Sequence, residues 1–326
     1  MPVLLSEQDV RIVLPLHDLI DAMETALAGF SSHEVTQPLR TVIEIGLQKA
    51  FVGIMPAFIT EPATLGTKVV SVFGSNTAVG LPTHLATIIL LDPMTGELLA
   101  IMDGRFITES RTAAVSAVSV KRLARPDAAR LAIIGSGVQA RSHLEAIGSV
   151  RPLQEVRVWS RSLEHRVAFA REMRARTKAP INVAASAKDA VTGADLIVLA
   201  TASREPVIQS GWIANGAHVC AVGACRPDQR EMDTALVRRG RLFVDSRTGA
   251  LAEAGDVIIP MKEGAFDESH LAGELGDVIL GRATGRSSAD DVTIFKSLGM
   301  AVEDVAAAHL AYVKAAERGL GRGFVL

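Results

Sequence analysis

The sequence predicts an α/β chain in two parts, an α+β domain with a largely antiparallel sheet and a doubly wound domain with a parallel sheet. Three observations predict it. The length of 326 residues is about twice that of a common domain. The first third of the chain runs as short β-branched or apolar segments separated by Gly, Pro and Asn. From Leu131 onward the pattern becomes strand, helix, strand, helix, the rhythm of a parallel sheet with helices on both faces.

Residues 15–31 place Leu16, Leu19, Ile20, Met23, Ala26 and Leu27 at helical spacing, which predicts an amphipathic helix. Strands are expected over 40–45, 49–55, 67–73, 86–92 and 97–103, with Asp92-Pro-Met-Thr-Gly96 as a hairpin turn. A helix rich in Thr, Ala, Val and Ser follows over 104–124 and ends near Arg125-Pro126. Buried parallel strands are expected over 131–135, 155–160, 195–201, 218–223 and 241–246, with helices between them such as 137–148 and 163–176. A long amphipathic helix from Gly299 to about Arg318 is expected to return to the first domain. The expected division is therefore 1–118 completed by 303–326, and 119–302 as a Rossmann-type domain.

Composition narrows the function. Lys and Arg number 34 against 36 Asp and Glu, and aromatic residues make up 4%. Neither a basic face nor a base-stacking surface for nucleic acid is suggested. No apolar run approaches the ~20 residues that span a bilayer, and the N-terminus lacks the pattern of a signal peptide. Cys220 and Cys225 have no second Cys or Cys/His pair to complete a metal site or a disulfide framework. The expectation is a cytoplasmic protein without a metal, a nucleic-acid partner or a membrane partner.

Gly135-Ser-Gly137-Val138-Gln139-Ala140 follows an apolar strand and opens a helix. Its glycines allow a tight turn and close approach of a pyrophosphate, with helix amides facing the phosphates. At the end of the next strand, an NAD site usually carries an acidic residue. Here stand Ser160, Arg161 and Ser162, groups suited to a 2′-phosphate, so NADPH is favoured and NADH remains possible. In the first domain Arg40, Lys68 and Arg111 stand near turns or strand ends. Together such cations would hold the carboxylate of a small amino or imino acid, although each alone reads as a surface cation.

The sequence resembles the ornithine cyclodeaminase/mu-crystallin family through nearly its whole length. The resemblance rests on Gly66-Thr-Lys68-Val-Val, Leu81-Pro-Thr-His84, Met102-Asp-Gly104, Ser110-Arg-Thr-Ala-Ala114 and Gly135-Ser-Gly-Val-Gln139. Val222-Gly-Ala-Cys-Arg-Pro-Asp228, Glu274-Leu-Gly276 and Phe295-Lys-Ser-Leu-Gly-Met-Ala301 extend it. It implies a homodimer with a substrate/dimerisation domain, a Rossmann domain and an active site between them. It also implies that Arg40, Lys68 and Arg111 surround a substrate carboxylate, with Glu274 near the same pocket. Thr83, His84, Arg111, Thr201, Val222, Gly223, Ala224 and Leu298 would line the cofactor.

One departure separates branches of that family. Cyclodeaminases carry an Asp in the segment that here reads VGACRPDQRE, and the matching position is Cys225. A thiol with an ordinary pKa of about 8.5 does not replace a carboxylate base. Asp228 stands three residues away and would serve only on a different loop path. The sequence is instead similar to the cyclic ketimine reductase, mu-crystallin-like branch. That implies NAD(P)H-dependent reduction of Δ1-pyrroline-2-carboxylate to L-proline and Δ1-piperideine-2-carboxylate to L-pipecolate, with Lys68 catalytic. The alternatives are an ornithine or lysine cyclodeaminase, an alanine or N-alkyl amino acid dehydrogenase, and a non-catalytic binding protein.

Overall fold

The structure, a computed structural model, describes residues 1–46 and 50–325. The chain opens with β1 (Val3–Leu5), α1 (Glu7–Val13), α2 (Leu16–Ser31), β2 (Val35–Thr36), β3 (Thr41–Ile45), β4 (Ala50–Ile59), β5 (Thr64–Val72), β6 (His84–Leu91), β7 (Leu98–Asp103) and α3 (Arg105–Leu123). It continues with β8 (Arg130–Ile134), α4 (Val138–Val150), β9 (Glu155–Trp159), α5 (Leu163–Met173), β10 (Ile181–Val183), α6 (Ala187–Val191), β11 (Leu196–Leu199) and β12 (His218–Ala221). The remainder is α7 (Thr234–Arg239), β13 (Arg241–Val244), α8 (Arg247–Glu253), α9 (Gly255–Lys262), β14 (Leu271–Glu274), α10 (Leu275–Ile279), β15 (Thr293–Lys296), α11 (Ala301–Arg318) and β16 (Arg322–Gly323).

Two compact units result, Met1–Arg111 with Met300–Leu326, and Thr112–Gly299. The first junction falls inside α3, where a continuous helix leaves no turn signal in the sequence. In the first unit the strands run in the order β16-β1-β7-β6-β5-β4-β2, with β3 also paired to β4. Every pair is antiparallel except β1 with β7. Helix α2 buries Leu19, Ile20, Met23, Ala26 and Leu27, the stripe its spacing predicts. Helix α11 packs along α2 and across β4 and β5. The β6–β7 turn is closed by Asp92, whose Oδ1 accepts from the Met94 and Thr95 amides at 2.8 and 2.9 Å. The expected strand at 49–55 begins at Lys49, outside the described residues, and β4 extends on to Ile59.

The second unit holds eight strands, all parallel, in the order β10-β9-β8-β11-β12-β15-β13-β14. Leu131, Ile133, Leu196 and Val198 face one core, while Ala132, Ile134, Ile197 and Leu199 face the other. That alternation explains why these strands read as unbroken apolar runs: both faces are covered. The chain reverses its direction of travel across the sheet between β8 and β11, which is where an open parallel sheet makes a ligand crevice.

Candidate active site

In the first unit, alternation along β5 puts Thr64, Gly66, Lys68 and Val70 on the buried face. A lysine on a core face needs compensation, and α11 supplies it. Lys68 Nζ lies 2.5 Å from Asp304 Oδ2, with Lys68 2% exposed. Arg111, from α3, donates through Nε to Asp304 Oδ1 at 2.9 Å and through Nη1 to Glu303 Oε2 at 2.7 Å. Two buried cations thus face two buried carboxylates, and half-buried Arg40 adds a third positive charge within electrostatic reach of Lys68. Burial brings Lys68 down to about 8, Arg111 and Arg40 act in the same direction, and Asp304 opposes them. Asp304 is held below the usual carboxylate range, because Arg111 and Lys68 outweigh its burial.

His84 feels the same set of charges. Burial, then Lys68 and Arg111, push its imidazole down to about 4, so it is neutral at physiological pH. Thr83, next to it, is exposed, and its carbonyl accepts the Phe73 amide at 2.8 Å. Arg40, Lys68, His84 and Arg111 are therefore brought together, although they lie far apart in the chain.

In the second unit Gly135 follows strand β8 with φ of 126°, and a Cβ there would meet the Ala200 carbonyl oxygen at 2.6 Å. Only glycine fits that turn. Gly137 is the residue before α4, and no side chain caps the helix. Its first amides therefore remain available to a phosphate, as a dinucleotide requires. Gln139 Oε1 is buried with no hydrogen-bond partner in the chain. A cavity of about 790 Å³ is lined by Ser136, Ser160, Arg161, Ser162 and Thr201 among others. Ser136 Oγ donates to Ser160 Oγ at 2.9 Å, Ser160 Oγ donates to the Ser162 carbonyl at 3.1 Å, and Arg161 is exposed. These features fit a dinucleotide: a glycine turn, an uncapped helix start, an unpartnered buried acceptor and a hydroxyl-rich cavity.

The profile of the ornithine cyclodeaminase/mu-crystallin family matches residues 1–319. The chain belongs to this family. It is similar to ketimine reductase mu-crystallin of Mus musculus, 42% identical over 315 residues, covering 95% of this chain and 96% of that protein. It is also similar to the structure of Thermococcus litoralis Δ1-pyrroline-2-carboxylate reductase in complex with NADH and L-proline. That likeness has 41% identity and a TM-score of 0.96, and covers 99% of this chain and 100% of the other. An archaeal alanine dehydrogenase dimer with bound NAD is 29% identical, with a TM-score of 0.94 over 99% of each chain.

Against that family, two positions near β12 matter. Cys225 Sγ donates to the Val222 carbonyl at 3.3 Å. Asp228 is turned to the surface, with its carboxylate 3.1 Å from Arg204 and 3.8 Å from Arg226. Glu274, at the end of β14, accepts the Arg247 amide at 2.9 Å. Leu298 follows β15, and its amide donates to Asp245 Oδ2 at 2.6 Å.

Sequence reasoning missed Glu303 and Asp304. They stand in the first turn of α11, where acidic residues are common for their effect on the helix dipole, so nothing local distinguishes them. Their complete burial is the distinguishing signal, and it appears only in three dimensions. Among the described residues no helix is long and apolar enough to cross a membrane.

Proposed function

We propose that this chain is an NAD(P)H-dependent reductase of cyclic ketimines, taking Δ1-pyrroline-2-carboxylate to L-proline and Δ1-piperideine-2-carboxylate to L-pipecolate. The observation that carries the reading is the buried Lys68–Asp304 pair beside Arg111 and Arg40: a lysine tuned to about 8 within a set of cations. The likeness to a reductase bound to NADH and L-proline supports it.

The substrate is a planar ring with an imine and an adjacent carboxylate. Arg111 and Arg40 hold that carboxylate, the bidentate fork of an Arg suiting its two oxygens. Lys68, protonated near neutrality, holds a proton toward the imine nitrogen and keeps the adjoining carbon electrophilic. Asp304 keeps Lys68 charged despite its burial. His84, being neutral, adds no competing cation. When bound, the nicotinamide supplies the hydride equivalent that this carbon accepts. Gly135, Gly137, Val138 and Gln139 would hold its pyrophosphate, with Thr83, Thr201, Val222, Gly223, Ala224 and Leu298 along the rest. Glu274 borders the substrate pocket in this reading, and Arg111 also touches the cofactor.

NADPH is the preferred form, on the strength of Arg161 between Ser160 and Ser162 at the rim of the cavity. NADH remains usable. The active protein is a homodimer. The dimeric alanine dehydrogenase supports this, as do the exposed apolar Val42 and Ile43 on β3, which water disfavours leaving uncovered. Cys220 and Cys225 stand as thiols, which suits a reducing compartment, the cytoplasm.

Deamination is disfavoured because Cys225 replaces the acid and Asp228 is tied to two arginines at the surface. The test pairs NADPH oxidation at 340 nm with Δ1-pyrroline-2-carboxylate against ammonia release from L-ornithine. Oxidation without ammonia is expected. Ammonia from ornithine would overturn the reading, since another group would then be replacing the missing carboxylate.

A further inference from the structure

A second buried ionic cluster lies in the Thr112–Gly299 unit, at the C-terminal ends of β11, β12 and β15. Glu231, fully buried, accepts four hydrogen bonds: from the Thr201 amide at 2.6 Å, Thr201 Oγ1 at 2.8 Å, the Gly223 amide at 2.9 Å and the Ala224 amide at 3.1 Å. Thr201 follows β11, whereas Gly223 and Ala224 follow β12. One carboxylate therefore staples two loops. Four donors aimed at one carboxyl fill its acceptor sites and favour its ionised form, while burial pushes the group up to about 7, with Lys296 and the Thr201 hydrogen bonds opposing that rise and Asp256 adding to it.

The staple is itself fixed from behind. Asp256, in the first turn of α9, accepts the Glu231 and Met232 amides at 2.8 and 3.1 Å. Its Oδ2 lies 3.2 Å from Lys296 Nζ, at the end of β15, and Lys296 donates to the Ala224 carbonyl at 2.5 Å. Burial works against the Lys296 charge, but Asp256, Cys225 and Glu231 outweigh it and hold the ammonium above its ordinary value. The fit leaves no slack: a Cβ on Gly223 would sit 2.1 Å from the Thr201 amide and 2.7 Å from Glu231 Oε1. Three buried ionisable groups at the mouth of the parallel sheet are costly to fold around, and hydrophobic residues of similar size would serve stability as well. Their position, beneath the loops that face the crevice side of the sheet, gives them a use.

We propose that Glu231 is a positioning residue for the nicotinamide dinucleotide. It sets the separation of the Thr201 and Gly223–Ala224 loops, with Asp256 and Lys296 holding its carboxylate in place. The inference rests on the reading that this unit binds NAD(P)H. Glu231 makes no contact with the reacting atoms and acts through the amides it orders. Replacing its acceptor oxygen by an NH2 group turns one side of the staple into a repulsive donor–donor contact and frees at least one loop.

The test uses full-length protein and NADPH. In Glu231→Gln, the KM for NADPH and its Kd by nucleotide fluorescence should rise ~10–100-fold, the scale of one or two lost charge-assisted hydrogen bonds. The KM for Δ1-pyrroline-2-carboxylate at saturating NADPH should stay within about threefold of wild type, since the carboxylate cations belong to the other unit. Glu231→Asp, which restores the charge, should recover part of the NADPH affinity. Asp256→Asn keeps an oxygen for the two amides and removes the charge, so it should shift NADPH affinity in the same direction by less. It serves as the readout if Glu231→Gln does not fold. A folded variant with unchanged NADPH affinity overturns the proposal, and so does a parallel rise in both KM values, which marks general loosening. If wild-type protein binds neither NADPH nor NADH, the cofactor reading falls and this inference with it. If wild type binds and the variants bind equally well, only this inference falls.

Discussion

Replacing Asp304 by Asn changes one charge and little volume, and its consequence is read in Lys68. Asp304 Oδ2 is 2.5 Å from Lys68 Nζ, and both side chains are buried. Burial, Arg111 and Arg40 bring Lys68 down to about 8, and Asp304 opposes them. Without that carboxylate, Lys68 loses its proton more easily, by ~1–3 pH units for an opposite charge at this range. At about 1.4 kcal/mol per unit, that is ~1.4–4 kcal/mol of lost stabilisation of the ammonium. The assay is kcat/KM for ketimine-dependent NADPH oxidation across pH, which reports ionisation of the free enzyme. In the proposed mechanism protonated Lys68 is the competent form, so wild-type activity should hold at low pH and decline as pH rises through about 8. In Asp304→Asn the same decline should move to roughly pH 5–7, costing ~3–200-fold at about pH 7.5 and much less on the acid side. The substrate's own titration is common to both proteins and cancels in the comparison. A falling limb at the wild-type position would refute the pairing of Lys68 with Asp304 as the control on its proton.

Arg161→Ala should weaken NADPH and spare NADH; equal losses for both would remove Arg161 from the 2′-phosphate. Arg111→Ala should raise the KM for the imine acid by ~10–100-fold, the scale of a charge-assisted contact. It should also lower the thermal midpoint, because Glu303 and Asp304 lose a buried partner worth ~3–5 kcal/mol to break; an unchanged KM would exclude Arg111 from carboxylate binding. His218 and His143 are pushed down by burial to about 3 and about 4, so both are neutral in the folded chain. The unfolded chain takes up those protons below ~pH 6.5, so folded stability should fall with pH from there, by up to ~1.4 kcal/mol per unit for each histidine. Thermal unfolding of His218→Gln should show a shallower acid slope than wild type, and an identical slope would contradict this account of His218.

Local signals carried most of the fold. The parallel strands read clearly because both faces of that sheet are covered, as at Leu131–Ile134, and α2 because its apolar stripe has helical period. The glycine turn at Gly135 declared itself because a positive φ against the Ala200 carbonyl leaves glycine alone. Strands β14 and β15 were harder: Gly273 and Glu274 in one and Lys296 in the other break the apolar run that marks the equally short β11. The candidate site divides the same way. Arg40, Lys68 and Arg111 were visible as types of residue, and their meeting depended on a resemblance. Asp304, which sets the proton affinity of Lys68, is 236 positions away in sequence. Glu231 looks like an ordinary loop acid until Thr201 and Gly223 are seen donating to it. Burial of a charge is a property of apposition, and no window of sequence contains it.

In the proposed reaction a hydride reaches the imine carbon beside the carboxylate, and no ammonia forms. The direct measurement supplies NADPH deuterated at nicotinamide C4 with Δ1-pyrroline-2-carboxylate and locates the label by mass spectrometry and proton NMR. L-proline carrying one deuterium at C2 is expected, from one of the two C4 epimers and not the other. Unlabelled proline, or no proline while ornithine yields ammonia, would contradict it.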